Sequence, residues 1–173
     1  MGSTISSLEL VDETYWEKAA KTRWGRYLSN IEEQVILKAS NLAKGNSINN
    51  ALEIGCEGGR WSKLLADLGW TIICPDIYQD NLEICQRKIP LAKCMLVKEN
   101  DRTLPCETSS IGLLLCIEVQ PVIANNWFIT EAFRVLGHGG FVVGVLQNKS
   151  SYRAYLHNVI VTRGSVPDYY ADV

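Results

Sequence analysis

The residues with the clearest capacity for chemistry are acids and glycines clustered in one short segment. Glu53-Ile54-Gly55-Cys56-Glu57-Gly58-Gly59 follows a short apolar run and precedes a helix-like stretch. Glycine lets the chain turn sharply and lets a ligand approach the backbone. The helix that follows offers free N–H groups at its N-terminus. The pattern predicts a loop that binds a nucleotide-like ligand, and a plain strand-to-helix turn is the alternative.

A second acid stands at a distance that suits the same ligand. Asp76 ends the next apolar run, 21 residues after Gly55. An acidic side chain at this spacing can accept hydrogen bonds from the ribose hydroxyls of an adenosine. Its alternative role is a turn or helix N-cap residue. Ile77 follows directly and could pack on an adenine face.

The charges in the loop distinguish between nucleotide classes. The Gly-Lys-Ser/Thr ending of a Walker loop is absent, and Glu57 stands where a dinucleotide-binding loop has its second glycine. A carboxylate at that position would repel a pyrophosphate. S-adenosylmethionine carries a sulfonium and an ammonium but no phosphate. Glu53 and Glu57 therefore favour S-adenosylmethionine as the cofactor over NAD.

Strands and helices alternate from residue 44 onward. Strands are predicted at Ala51–Gly55, Thr71–Pro75, Ala92–Val97, Ile111–Val119 and Phe141–Leu146, and helices at Arg60–Leu68, Asp80–Lys88, Asn126–Leu136 and Ser150–Val161. This alternation predicts an α/β fold with a doubly wound, mainly parallel sheet of about five strands. Such sheets bind ligands at the carboxyl ends of their strands, where the loop and Asp76 would lie.

The composition of the chain limits the kinds of molecule that it is expected to bind. The chain has 173 residues, enough for a single domain, and a net charge of −2 without a basic stripe, so nucleic acid is disfavoured as a partner. No apolar stretch reaches the length of a membrane span.

None of the six cysteines forms a Cys-x-x-Cys pair or adjoins a histidine. We therefore expect reduced core thiols, no metal site and a cytoplasmic protein.

The segment from about Asn50 to Ser150 resembles the class I, Rossmann-like, S-adenosylmethionine-dependent methyltransferases of the small-molecule type. Four stretches carry the resemblance, at residues 52–62, 74–77, 100–105 and 133–140. The resemblance implies that the cofactor contacts Glu53, Gly55, Cys56, Glu57, Gly59, Asp76, Ile77, Asn100, Asp101 and Cys116. The resemblance further implies that Asn100 and the Asp101 backbone contact the adenine, and that Cys116 lies beside the methionine moiety.

The resemblance also implies a division of the chain. Residues 1–43 would form a helical lid over residues 44–173, the cofactor-binding core. Gly25 is predicted to break the lid into two helices. Its aromatic side chains, Tyr15, Trp16, Trp24 and Tyr27, would line the acceptor pocket or pack against the sheet.

Several positions depart from the family pattern. Glu57 replaces a glycine, so we expect Gly58 to supply the positive φ, and Ile111-Gly112 replaces Phe-Asp. The family continues into an antiparallel hairpin, which we expect to be missing because the sequence stops at Val173. Strand five would then form a sheet edge that a second copy or a partner subunit could cover.

The predicted function is methyl transfer from S-adenosylmethionine to a small-molecule acceptor by in-line displacement. Glu118, after strand four, is the candidate general base, with a solvated loop acid as the alternative; His138 and His157 are weaker candidates. The alternative function is an inactive methyltransferase-like binding or subunit-interaction module, which Glu57, Gly112 and the early C-terminus favour.

Overall fold

The computed structural model describes residues 14–45, 47–146 and 148. Helices and strands alternate along most of this span. The helices are α1 (Tyr15–Ala20), α2 (Arg23–Ala43), α3 (Arg60–Asp67), α4 (Gln79–Lys88), α5 (Gln120–Ile123) and α6 (Asn126–Val135), and the strands are β1 (Asn50–Glu53), β2 (Thr71–Asp76), β3 (Lys93–Leu96), β4 (Ile111–Cys116) and β5 (Leu136–Gly144). The helix predicted at residues 150–161 lies outside the described part.

The five strands form one all-parallel sheet in the order β3-β2-β1-β4-β5. Leu52 of β1 is aligned with Ile73 of β2 on one side and Leu114 of β4 on the other. The predicted doubly wound α/β sheet is confirmed, and no antiparallel hairpin occurs among the described residues. The carboxyl ends of β1, β2 and β4 therefore lie side by side at one edge of the sheet. At this edge the connections that follow neighbouring strands run in opposite directions.

β4 shows why a continuous apolar run forms a central strand. All six residues of Ile111–Cys116 are buried. Leu113 and Leu115 pack into the layer formed with α2, α3 and α4, whereas Leu114 and Cys116 pack against α6 on the other face. Burying each leucine contributes about 1.5–3 kcal/mol. Both faces are covered by helices, so both alternating sets of side chains must be apolar.

The N-terminal helices are separated at a different place from the one predicted. Thr14 and Glu17 form a capping box on α1, and the Thr22 hydroxyl accepts a hydrogen bond from Gly25 N (3.0 Å) at the start of α2. The break therefore falls before Arg23, and the prediction of a break at Gly25 is wrong. A Cβ on Gly25 would lie 2.0 Å from the Ala19 carbonyl oxygen, so this glycine allows α1 to pack closely against α2.

The two halves of α2 have different surroundings. Ile36, Ala39 and Ala43 in its C-terminal half are buried in the core. Ser40 Oγ there accepts a hydrogen bond from Trp70 Nε1 (2.8 Å). The C-terminal half of α2, which lies in the segment predicted as a lid, therefore packs against the sheet. The boundary at residue 43 stays a prediction.

β5 lies at one edge of the sheet and begins earlier than predicted. Ile111 pairs with Leu136, but Leu113 pairs with Phe141, so the glycine-rich residues between Leu136 and Phe141 bulge from the ladder. Val142 in the strand and Phe133 on α6 are exposed. A partner that covers this edge stays a prediction.

Within the described residues, no helix combines the length and the apolarity needed to cross a membrane.

Candidate functional site

A cavity of about 780 Å³ opens at the carboxyl ends of β1, β2 and β4. Loops that follow these strands form its floor, and the first half of α2, together with α1, forms a wall. A parallel sheet places ligands at this edge because the loops after neighbouring strands diverge there. The volume is in the range of small-molecule sites, which is about 300–1,000 Å³.

The turn after β1 depends on Gly55. Its φ is +63°, so the strand ends at Glu53, two residues before the predicted boundary. A Cβ on Gly55 would lie 2.8 Å from Val119 Cγ2, in the loop after β4. The Gly55 amide donates to the Pro75 carbonyl of β2 (3.0 Å). Glycine therefore brings the three strand ends close together.

Glu57 itself adopts the left-handed conformation, with a φ of +49°. Within residues 55–59 the positive φ values belong to Gly55, Glu57 and Gly59, so the prediction that Gly58 supplies one is wrong. The Glu57 carboxylate accepts a hydrogen bond from Trp16 N (3.3 Å) in the first turn of α1. This carboxylate therefore lies where the loop meets α1, and a helix N-terminus favours negative charge.

Asp76 is held at the tip of β2 by three hydrogen bonds. One carboxylate oxygen accepts from Glu57 N (2.8 Å), and the other accepts from Tyr78 N (2.9 Å) and Asn81 Nδ2 (3.2 Å). A carboxylate has about four acceptor positions, so about one remains for a ligand on the cavity wall. Asp76 does have the turn role considered as an alternative, while its ribose role stays a prediction.

Glu53 is the most perturbed acid in the cavity wall. It is only 5% exposed and accepts a hydrogen bond from Ser62 Oγ at the start of α3. Burial raises the pKa of Glu53 to about 8, against the lowering effect of Ser62. The carboxyl is therefore mostly protonated at neutral pH, and a nearby cation would draw it toward the charged form.

Arg60 joins α2 and α3 beside the cavity, and sequence reasoning gave it no role. Its guanidinium donates to Ser29 Oγ (2.9 Å) and Glu32 Oε2 (3.2 Å) and lies 4.1 Å from the centre of the Trp61 ring. Arg60 is the first helical residue after the glycine turn, but its partners lie about 30 residues upstream. No local pattern indicates that pairing.

Glu118 lies at the mouth of the cavity after β4, and its φ is +57°. This backbone conformation explains why β4 ends at Cys116 rather than at the predicted Val119. Burial raises the pKa of Glu118, and Arg60 opposes that shift. Burial likewise raises the pKa of Glu32. Two acids therefore share one arginine on this wall.

Seven of the ten predicted cofactor residues line the cavity, namely Glu53, Gly55, Cys56, Glu57, Asp76, Ile77 and Asp101. Gly59, Asn100 and Cys116 are not part of its lining. Gly59 has a φ of +74°, and a Cβ there would lie 2.6 Å from Cys85 Sγ, so it serves the packing of α4. Cys116 is fully buried. Asn100 lies in a separate shallow depression.

The six cysteines are free thiols. Three of them, Cys56, Cys74 and Cys85, come from different elements, and their sulfur atoms all lie within 4.8 Å of one another. The sequence did not reveal this cluster, because its three cysteines lie far apart along the chain. Metal sites are recognised in a sequence from ligands that lie only a few residues apart.

The sheet order, the glycine turn at the central strand and the acid at the next strand tip define a Rossmann-like protein. Residues 52–144 match the methyltransferase domain family. The chain belongs to this family and has the class I, Rossmann-like fold of S-adenosylmethionine-dependent methyltransferases.

Other proteins are similar to this chain in sequence or in fold. An uncharacterized methyltransferase-like protein of Schizosaccharomyces pombe is 29% identical over 90 residues, which are 51% of this chain and 34% of that protein. The match thus spans about a third of this curated relative. A Pyrococcus horikoshii protein has a TM-score of 0.60 and 16% identity, over 86% of this chain and 66% of its own.

A SAM-dependent methyltransferase of Thermotoga maritima is also similar in structure. Its TM-score is 0.51 at 16% identity, over 81% of this chain and 64% of its own. At such identities the solved structures show a shared fold.

Proposed function

We propose that this protein transfers a methyl group from S-adenosylmethionine to a small organic acceptor. The observation that carries the proposal is the 2.8 Å hydrogen bond between Glu57 N and the Asp76 carboxylate. It sets the glycine turn and the acid on one cavity wall, as an adenosine ligand requires. Membership of the methyltransferase domain family supports the same reaction.

The charge of the cavity fits a cationic, phosphate-free cofactor. Its lining contains seven acidic side chains, Glu32, Glu53, Glu57, Asp76, Glu99, Asp101 and Glu118, and three basic ones, Arg60, Lys98 and Arg102. Protonation of Glu53 at neutral pH removes one negative charge, and the excess remains negative. A sulfonium and an ammonium are attracted to this lining, whereas a pyrophosphate is repelled.

Particular side chains suit the parts of the cofactor. The free acceptor position of Asp76 would take a ribose hydroxyl, and Ile77, which is 40% exposed, would cover the base. Glu53 and the Gly55 turn would hold the methionine amino end. When bound, S-adenosylmethionine supplies an electrophilic methyl group.

The acceptor would enter from the side of α1 and α2. The side chains of Trp16, Trp24 and Leu28 line this part and would exclude water from the reacting groups. Among the described residues, Trp61 Nε1 and Trp127 Nε1 are the buried side-chain nitrogens without a hydrogen-bond partner. Both tryptophans belong to the cavity wall, but these two nitrogens themselves have almost no accessible surface.

Methyl transfer needs alignment more than acid–base chemistry. Glu118 is placed to accept the proton that an acceptor hydroxyl or amine gives up, and a raised pKa makes it a better base near neutral pH. His138 does not line the cavity, and His157 lies outside the described residues. Glu118 is therefore the base that this proposal uses.

Two of the three features that favoured an inactive module, Glu57 and Gly112, have structural explanations. Glu57 replaces a glycine yet adopts the positive φ that the turn needs, and its carboxylate engages α1. A Cβ on Gly112 would lie 2.5 Å from the Ile48 carbonyl oxygen, so close packing requires glycine there. Neither position blocks catalysis by its chemistry, and the active enzyme is the function we propose.

The full chain can be tested with methyl-labelled S-adenosylmethionine. We expect label to enter a small-molecule fraction of a cell extract and S-adenosylhomocysteine to form in equal amount. Glu118→Gln should slow transfer by a larger factor than it weakens cofactor binding. Cofactor binding without transfer to any fraction would support the inactive module, and label in RNA or protein would refute the small-molecule acceptor.

A further inference from the structure

Three thiols meet at the base of the cofactor loop, and the proposed transfer reaction assigns no chemical role to their sulfur atoms. Cys56 belongs to the turn after β1, Cys74 to β2 and Cys85 to α4. All three side chains are buried, and their sulfur atoms lie within 4.8 Å of one another. The distance between the sulfurs of Cys74 and Cys85 is 3.6 Å.

We propose that Cys56, Cys74 and Cys85 form a binding site for a thiophilic divalent metal ion of the Zn²⁺ type. Thiolate sulfurs bind Zn²⁺ at about 2.3 Å, which sets neighbouring sulfurs about 3.8 Å apart in a tetrahedral site. The 3.6 Å between Cys74 and Cys85 and the 4.8 Å limit for all three sulfurs lie on either side of this spacing. Soft sulfur ligands select such an ion over Mg²⁺ or Ca²⁺.

The backbone around the cluster makes room for the sulfur atoms. Gly59 precedes α3, and a Cβ on it would lie 2.6 Å from Cys85 Sγ. Any other residue there would displace that sulfur. The N-terminus of α3 also lies beside Cys85, and the partial positive charge of a helix N-terminus stabilises thiolates.

A polar group also adjoins the cluster. Ser62 Oγ lies 3.1 Å from Cys74 Sγ, so this buried sulfur has a hydrogen-bonding neighbour.

An ion could reach the site from the cavity. Cys56 lines that cavity, while Cys74 and Cys85 lie behind it with no exposed surface. A bound ion would tie the cofactor loop to β2 and α4. We therefore expect metal binding to raise the unfolding temperature of the protein.

Cd²⁺ titration of the full, reduced chain tests the proposal, because cadmium–thiolate bonds absorb in the ultraviolet. We expect one Cd²⁺ per chain with this absorption, and loss of the absorption when EDTA removes the ion. Cys56→Ser and Cys85→Ser should weaken binding about tenfold or more. Cys106→Ser is the matched control, since this half-buried thiol lies outside the cluster, and it should bind normally.

Circular dichroism checks that each variant is folded. A folded, reduced wild-type chain that gives no thiolate absorption with Cd²⁺ would overturn the proposal, whatever the variants do. Equal loss of binding in Cys106→Ser and Cys56→Ser would overturn it as well. If Cys85→Ser does not fold, the comparison of wild type, Cys56→Ser and Cys106→Ser decides the matter.

Discussion

The backbone N–H of Glu57 donates a hydrogen bond of 2.8 Å to the carboxylate of Asp76. This bond joins the turn after the central strand to the tip of the neighbouring strand across 19 residues of sequence. Asp76 thereby positions the loop and still keeps about one acceptor position open to the cavity. The carboxylate that positions the loop is thus also the one that we propose recognises the ligand.

Asp76→Asn should weaken binding of S-adenosylmethionine by about tenfold or more, which corresponds to about 1.4 kcal/mol. The amide places an NH₂ group against one of the backbone donors that the carboxylate now accepts from. Equilibrium dialysis with labelled cofactor measures the effect. Asp80→Asn, an exposed change in the first turn of α4, should leave affinity within about twofold. Unchanged affinity in Asp76→Asn would contradict its role in the site.

Glu53 should make stability and cofactor affinity depend on pH. Its native pKa of about 8 lies above the ordinary value of 4.5, so the unfolded chain loses this proton first as pH rises. The free energy of unfolding should therefore fall between pH 4.5 and about 8, by up to about 1.4 kcal/mol per unit from this group. Glu53→Gln should remove this part of the slope in urea unfolding measured across that range.

Cofactor affinity should change with pH in the opposite direction to stability. The ionised Glu53 attracts a cationic ligand, so affinity for S-adenosylmethionine should increase as pH rises toward about 8. In Glu53→Gln this increase should disappear. An identical pH profile in wild type and Glu53→Gln would show that another group is responsible.

Gly59→Ala should destabilise the protein by about 2–4 kcal/mol, since it combines a positive φ with overlap against a buried sulfur. Its added Cβ would lie 2.6 Å from Cys85 Sγ. Gly69→Ala is the matched control, because Gly69 also has a positive φ but no atom within 4 Å of an added Cβ. That change should cost only about 1–2 kcal/mol. Equal losses in chemical denaturation would show that the contact with Cys85 is unimportant.

Lys88→Ala should loosen α1 from the body of the protein. Lys88 Nζ lies 2.5 Å from Glu17 Oε1, and the two side chains are 27% and 17% exposed. Limited proteolysis should cut near α1 faster in this variant, and cofactor affinity should fall about threefold or more. Lys63→Ala removes the Lys63–Asp67 pair, whose side chains are 47% and 61% exposed, and should have little effect. The same cleavage rate in both variants would contradict the anchoring role.

The sheet could be predicted because its strands are short apolar runs separated by helical segments. β4 is the clearest example, with six apolar or glycine residues that are all buried. The turn at Gly55 and the acid at Asp76 could also be located, because their spacing is set by one strand–helix–strand unit. These features depend on neighbours in sequence.

Features that depend on long-range packing could not be predicted. Gly25 looked like a helix break, but it is needed for the approach of the Ala19 carbonyl. The family resemblance implies that Cys116 lies beside the methionine moiety; the structure packs its side chain in the layer with α6, and its role at the cofactor stays a prediction. The pairing of Arg60 with Glu32 arises only when α2 packs beside α3.

Titration calorimetry of the full chain with S-adenosylmethionine, S-adenosylhomocysteine and NAD⁺ tests most directly whether the acid-lined cavity holds a phosphate-free adenosine. We predict saturable binding of both sulfur compounds at one site per chain and no detectable heat with NAD⁺. The account would be contradicted if the protein bound NAD⁺ alone, or if the folded protein bound none of the three compounds.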